Sequence, residues 1–128
     1  MENNDTVNIL LVDDDDDVLS MLGKMIEHIG WRSFRAPTGE IAIDSFKIND
    51  INAVVLDLGL PNMDGFSVLK KMKEIKPSVP VIILTGTGYE KEQVAKAVAL
   101  GASGYIGKVM PIGTIIAKIR SVLPRPVQ

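Results

Sequence analysis

The chain has no cysteine among its 128 residues, which excludes disulfides and thiolate metal sites. Positive charge is also scarce. Fourteen Lys and Arg stand against 16 Asp and Glu, a formal net charge of −2, so the attraction on which non-specific nucleic-acid binding relies is missing. No direct nucleic-acid contact is expected. No apolar run approaches the roughly 20 residues of a membrane-spanning helix. Residues 1–7 are polar and acidic, whereas a secretory signal is basic and then apolar. The expected location is therefore the cytoplasm, without membrane contact. Internal Gly/Ser- or Pro-rich linkers, internal repeats, a P-loop and a dinucleotide-binding fingerprint are all missing.

What is present is globular material: 46% of the residues are hydrophobic and 23% charged, enough to bury both faces of a sheet. The expected division is an extended or disordered segment 1–7, one domain over 8–123, and 124–128 as a tail or the start of a linker.

Three short apolar runs, 8–12, 53–58 and 79–84, are rich in β-branched residues and do not alternate with polar ones. That pattern predicts central strands buried on both faces, as in a parallel sheet covered by helices. Residues 31–35 and 103–106 are weaker strand candidates, suited to the sheet edges. Between them lie helical patterns. Val18, Leu19, Met21, Leu22, Met25, Ile26 and Ile29 recur with a helix period, with acidic cap residues before them and Gly30 behind. Further helices are expected over 38–47, 66–75, 91–100 and 113–123; the stripes of the last two are Val94, Ala97, Val98 and Ile115, Ile116, Ile119, Val122. Strand and helix thus alternate five times. The predicted class is α/β: a flavodoxin-like (βα)5 three-layer sandwich whose parallel sheet has the order 2-1-3-4-5.

In such sheets ligands gather outside the carboxyl ends of the strands, where strand order reverses. Asp13 and Asp14 follow the first strand, Asp57 ends the third, Thr85 ends the fourth and Lys108 lies just past the fifth. Crowded carboxylates either keep a proton or hold a cation. Mg²⁺ suits them best, since it takes oxygen ligands and is commonly bound by one or two carboxylates together with a phosphate. A carboxylate beside such an ion can attack phosphorus, and Asp57, on the central strand, is the expected nucleophile.

The segments NILLVDDD, VVLDLGLPNMDG, VIILTG and GASGYIGK, in this order and at these strand ends, resemble the receiver domains of two-component response regulators. The resemblance covers about residues 8–123. It implies that Asp57 is phosphorylated by a sensor histidine kinase or a histidine phosphotransfer protein, and that Asp13, Asp14, Asp57 and the backbone carbonyl of Gly59 bind Mg²⁺. It further implies that Thr85 hydrogen-bonds the phosphoryl group, that Lys108 pairs with it, and that Tyr105 changes rotamer on activation. The face formed by the fourth helix, fifth strand and fifth helix would then control a downstream partner or output domain. Such a domain assists its own phosphorylation and dephosphorylation without being an enzyme.

Two positions depart from the family pattern. Val109 follows Lys108 where receivers usually have proline, so the Lys108–Val109 bond is expected to be trans. Gly59 carries no side chain where one commonly overhangs the phosphoryl group, and Gly59 and Thr87 bear on its lifetime.

Plainer readings stand beside these. Asp15, Asp16 and Asp17 are expected only to cap a helix, and an EF-hand beginning at Asp13 is excluded by Val18 and Lys24 at its sixth and twelfth positions. His28 lies off the apolar stripe. The methionines read as core filler, and Gly65, Gly101 and Gly104 as turn residues. Two other functions compete: a receiver-like interaction module that is never phosphorylated, and an aspartyl-nucleophile phosphatase. The latter would want an acid two residues after Asp57, where Gly59 stands.

Overall fold

The structure, a computed structural model, describes residues 6–60, 63–86 and 91–123. The expected tail and most of the expected N-terminal segment lie outside these residues. Five strands alternate with five helices: β1 Asn8–Val12, α1 Asp16–His28, β2 Arg32–Ala36, α2 Gly39–Ile48, β3 Ala53–Asp57, α3 Gly65–Ile75, β4 Val81–Thr85, α4 Lys91–Ala99, β5 Gly104–Gly107 and α5 Ile112–Val122. The strands pair in parallel in the order β2-β1-β3-β4-β5, as the alternation predicts.

The unbroken apolar strands are explained by a core on each side of the sheet. Leu10, Val12, Val54, Leu56 and Ile83 face the layer of α2, α3 and α4, where they meet Phe46, Leu69 and Met72. Ile9, Leu11, Val55 and Leu84 point the other way, onto Leu22 and Ile26 of α1 and Ile115 and Ile119 of α5. Successive strand residues face opposite ways, so a strand covered on both sides must be apolar throughout.

Local chemistry sets the helix ends. Asp15 caps α1, its side chain accepting from the N–H groups of Asp17 and Val18, with Asp16 and Asp17 in the first turn. Gly30 (φ 95°) ends α1 and Gly101 (φ 106°) follows α4. In each case the next N–H returns to a helix carbonyl: Trp31 to Ile26 at 3.1 Å and Ala102 to Ala97 at 2.9 Å. Strand β4 begins later than its apolar run. Val79 N–H donates to Lys76 O in a turn, and Pro80, which has no N–H, enters the ladder only through its carbonyl, 3.0 Å from Val54 N.

Several readings need correction. Met21 and Val98 are 44% and 54% exposed, outside the buried stripes of their helices. The core-filler reading holds for Met72, which is buried, and for Met25, Met63 and Met110, which are half-buried against the two cores, but not for Met21. Gly65 and Gly104 lie in α3 and β5 and are not turn residues. Among the described residues there is no cis peptide bond, so Lys108–Val109 is trans, and no helix is long and apolar enough to cross a membrane.

Candidate functional site

Strands β1 and β3 are neighbours at the point where the order reverses, in a register that pairs Val12 with Leu56. One step further on, Asp13 and Asp57 stand side by side. Asp13 N–H continues the ladder by donating to Ala36 O at 3.2 Å. On the other side, Thr85 pairs with Gly107, which delivers Lys108 to the same end of the sheet. The parallel topology thus gathers residues from three strand ends at the level where the strands stop.

Asp13 and Asp57 are both buried, whereas Asp14 is exposed. Each of the three offers one carboxylate oxygen, and these oxygens lie within 4.8 Å of one another. Lys108 enters between two of them, its Nζ 2.8 Å from Asp13 Oδ2 and 3.3 Å from Asp57 Oδ2. The second contact is a hydrogen bond. The first has the distance of a tight ion pair without hydrogen-bond angles, so Asp13 Oδ2 is buried with no hydrogen-bond partner among the described residues. The remaining oxygens are held by backbone: Asp15 N–H donates to Asp13 Oδ1 at 2.9 Å and Gly59 N–H to Asp57 Oδ1 at 3.0 Å.

Electrostatics follow from this packing. Burial raises the pKa of Asp13 and the nearby Asp57 charge adds to the effect; Lys108 and the Asp15 N–H oppose it without cancelling it. Burial pulls the Lys108 pKa down, but its close contacts with the Asp13 and Asp57 carboxylates and their negative charges outweigh it, and the net shift is upward. The lysine is therefore a fixed positive charge against two carboxylates.

The structure brings Asp13, Asp14, Asp57 and Lys108 together. Thr85 occupies the last position of β4, but its side chain, like all of Thr87, lies outside what is described. Tyr105 is half-buried in edge strand β5, opposite Ile83, and packs on the core of the α2, α3 and α4 side. Gly59 is exposed, and among the described residues a Cβ there would meet only Asp57 Oδ1, at 3.6 Å, an ordinary van der Waals contact.

Sequence reasoning missed three contributions. Asp15 is more than a cap, since its N–H braces Asp13. Gly59 acts through its N–H on Asp57. Gly65 is needed for close approach: a Cβ there would lie 2.5 Å from Leu58 Cα. The cap at Asp15 was readable in the sequence, but all three of these contacts depend on loop paths that no local pattern encodes.

A doubly wound sheet that places acidic side chains and a paired lysine at its switch point defines an α/β protein with a candidate cation site at its strand ends. The family profile of the response regulator receiver domain matches residues 9–120. The chain belongs to that family. It is 32% identical over 119 residues to the cell cycle transcriptional regulator CtrA of Caulobacter vibrioides, covering 93% of this chain and 51% of that protein. The response regulator SaeR of Staphylococcus aureus is 31% identical over 118 residues, with coverages of 92% and 51%. The chain thus spans about half the length of these curated relatives. Among solved structures, a CheY-like receiver domain protein from Methanospirillum hungatei superposes with a TM-score of 0.87 at 27% identity, covering 91% of this chain and 92% of that one. The BeF3-activated receiver domain of DrrB does so with a TM-score of 0.83 at 27% identity, covering 91% and 97%.

Proposed function

We propose that the chain is a phosphoacceptor. Asp57 takes a phosphoryl group from a phosphohistidine of a sensor kinase or phosphotransfer protein, and the face of α4, β5 and α5 conveys the change to a downstream protein or output domain. The observation that carries this reading is the position of Asp57, buried at the switch point, hydrogen-bonded to Lys108 and within reach of Asp13 and Asp14.

A carboxylate oxygen of Asp57 attacks phosphorus; the P–O bond forms as the P–N bond to the donor imidazole breaks, and the electron pair of that bond leaves with the imidazole. Gly59 N–H orients the carboxylate through Oδ1, and Lys108 sets positive charge beside the incoming phosphoryl oxygens. Thr85 hydrogen-bonds the phosphoryl group, and Tyr105 changes rotamer in response. Attack by water on the acyl phosphate resets the switch, so the chain regulates without turning over a substrate.

The donor set fits Mg²⁺. Its side-chain donors are all carboxylate oxygens, and Asp13 Oδ2 is a buried acceptor with no hydrogen bond among the described residues. Asp13, Asp14 and Asp57 would hold the ion together with the Gly59 carbonyl. Once bound, it supplies positive charge that neutralises the phosphoryl oxygens. The working unit is residues 8–123, placed in the cytoplasm and making no nucleic-acid contact of its own.

Intact-protein mass spectrometry after exposure to acetyl phosphate and Mg²⁺ tests the proposal. The expected result is one added phosphoryl group, lost in Asp57→Asn, which is nearly isosteric but a poor nucleophile. Undiminished labelling of that variant would place the acceptor elsewhere.

A further inference from the structure

Helix α4 is thinly anchored. Of its residues Lys91–Ala99, Ala97 alone is buried, Val94 is half-buried and the rest are exposed. A surface helix is normally held by a broad buried stripe, so any other contact that fixes α4 carries unusual weight. One such contact is long-range: Lys96 Nζ lies 4.3 Å from the centroid of the Phe66 ring, within the distance at which an ammonium is attracted to an aromatic face.

Phe66 is not an arbitrary anchor. It lies in the first turn of α3, where its N–H donates to Asp64 Oδ1 at 3.1 Å, and it packs on the core beneath α3 and α4. That turn is seated on the backbone immediately after Asp57. The residue before Phe66, Gly65, approaches so closely that a Cβ on it would stand 2.5 Å from Leu58 Cα and 2.7 Å from Leu58 O. Leu58 backbone, Gly65, Phe66 ring and Lys96 ammonium therefore form a continuous line from the residue after Asp57 to the middle of α4.

We propose that Lys96 is a positioning residue that ties α4 to the segment following Asp57, so that movement of Leu58 on phosphorylation reaches α4 through Phe66. The inference rests on the phosphoacceptor reading of Asp57. Its route leaves Asp57 along the chain toward α3 and does not pass through Lys108, Thr85 or Tyr105. The two states it needs are an ammonium seated on the ring and one released into water, and the exposed place of Lys96 on the helix permits both.

Hydrogen exchange of the α4 amides tests this, with and without acetyl phosphate and Mg²⁺, in the wild type, Lys96→Gln and Lys96→Arg. Loss of an exposed cation–π contact corresponds to roughly a two- to fivefold change in opening. Without phosphodonor, α4 should therefore exchange about two to five times faster in Lys96→Gln and at the wild-type rate in Lys96→Arg. The change in α4 exchange caused by phosphorylation should shrink in Lys96→Gln alone, with Asp57 labelled to the wild-type extent. Wild-type exchange in Lys96→Gln without phosphodonor would overturn the tether. An undiminished phosphorylation-dependent change in that variant, or none in the wild type, would overturn the coupling. Failure of the wild type to label at all would remove the phosphoacceptor reading and the coupling with it, while exchange without phosphodonor would still decide the tether.

Discussion

Gly65→Ala should damage the protein even though alanine is the better helix former. Gly65 is the first residue of α3, and a Cβ there would meet Leu58 Cα at 2.5 Å, its carbonyl oxygen at 2.7 Å and its carbonyl carbon at 2.9 Å. All three are backbone atoms, so no side-chain rotation can make room. Reaching ordinary van der Waals distance requires the start of α3 and the Leu58 backbone to separate by roughly an ångström, a gap that forfeits a large part of each dispersion contact along it. The residues that would be drawn outward, Val68, Leu69 and Met72, are completely buried. Overpacking of this kind costs about 1–3 kcal/mol, and the propensity of alanine over glycine returns at most about 1 kcal/mol. Taking the middle of that cost range, about 2 kcal/mol, the expected net loss is about 1–2 kcal/mol, a drop in melting temperature of roughly 3–10 °C for a domain of this size. Gly113→Ala is the control. Gly113 is also near the start of a helix, α5, but among the described residues a Cβ there meets nothing within 4 Å, so that variant should match or exceed the wild type. Thermal melts of the three proteins in chelator decide the matter. A Gly65→Ala variant as stable as Gly113→Ala would refute the close-approach argument.

Two further perturbations act on the charges of the site. Burial and the Asp57 charge raise the Asp13 pKa, so the folded state holds this proton more tightly than the unfolded one, and stability falls as pH rises from the ordinary carboxylate value through the raised one. Asp13→Asn should remove that slope and, in chelator near neutral pH, raise the melting temperature while weakening Mg²⁺ binding; melts between about pH 4 and 7 that show an unchanged slope would refute the assignment. Lys108→Ala leaves Asp13 and Asp57 without their shared cation, which should cost about 1–3 kcal/mol, less than for a fully buried pair because the lysine side chain is 25% exposed. Added Mg²⁺ should then raise the melting temperature of this variant by more than that of the wild type, and an equal or smaller increment would show that the lysine is not the counter-ion of the cluster.

The parts of the fold legible in the sequence were those set by one-dimensional pattern. Strands covered on both sides must be apolar throughout, so β1, β3 and β4 announced themselves, and the glycines at 30 and 101 sit where helix ends require positive φ. The misreadings share a cause. Val98 and Met21 fit a helical period and are exposed all the same, because period does not reveal how much of a helix its neighbours cover. The acidic pair, Asp57 and Lys108 could be gathered on paper by the rule that ligands bind beyond strand ends. The bridging of Asp13 and Asp57 by Lys108, the two backbone N–H donors and the seat of Gly65 on Leu58 could not. Each depends on the path of a loop in three dimensions.

That bridging also bears on the order of events at the site. Three carboxylates and one lysine leave the cluster about two charges negative, and Lys108 is already committed to Asp13 and Asp57. A phosphoryl donor is itself an anion, and at separations of a few ångströms, even at an effective dielectric of about 20, each unpaired charge opposes it by several kcal/mol. On the phosphoacceptor reading, a divalent ion held by Asp13, Asp14 and Asp57 would cancel this charge before transfer, and a monovalent ion would fall short by one charge. Labelling of Asp57 by acetyl phosphate should accordingly require Mg²⁺ and fail in chelator with K⁺ or Na⁺ at matched ionic strength. Asp13→Asn, one charge less negative, should show weaker dependence on the ion at saturating phosphodonor, although it binds that ion less well. Time courses of intact mass measure both, and wild-type labelling at an undiminished rate in chelator would mean that Lys108 alone carries the neutralisation.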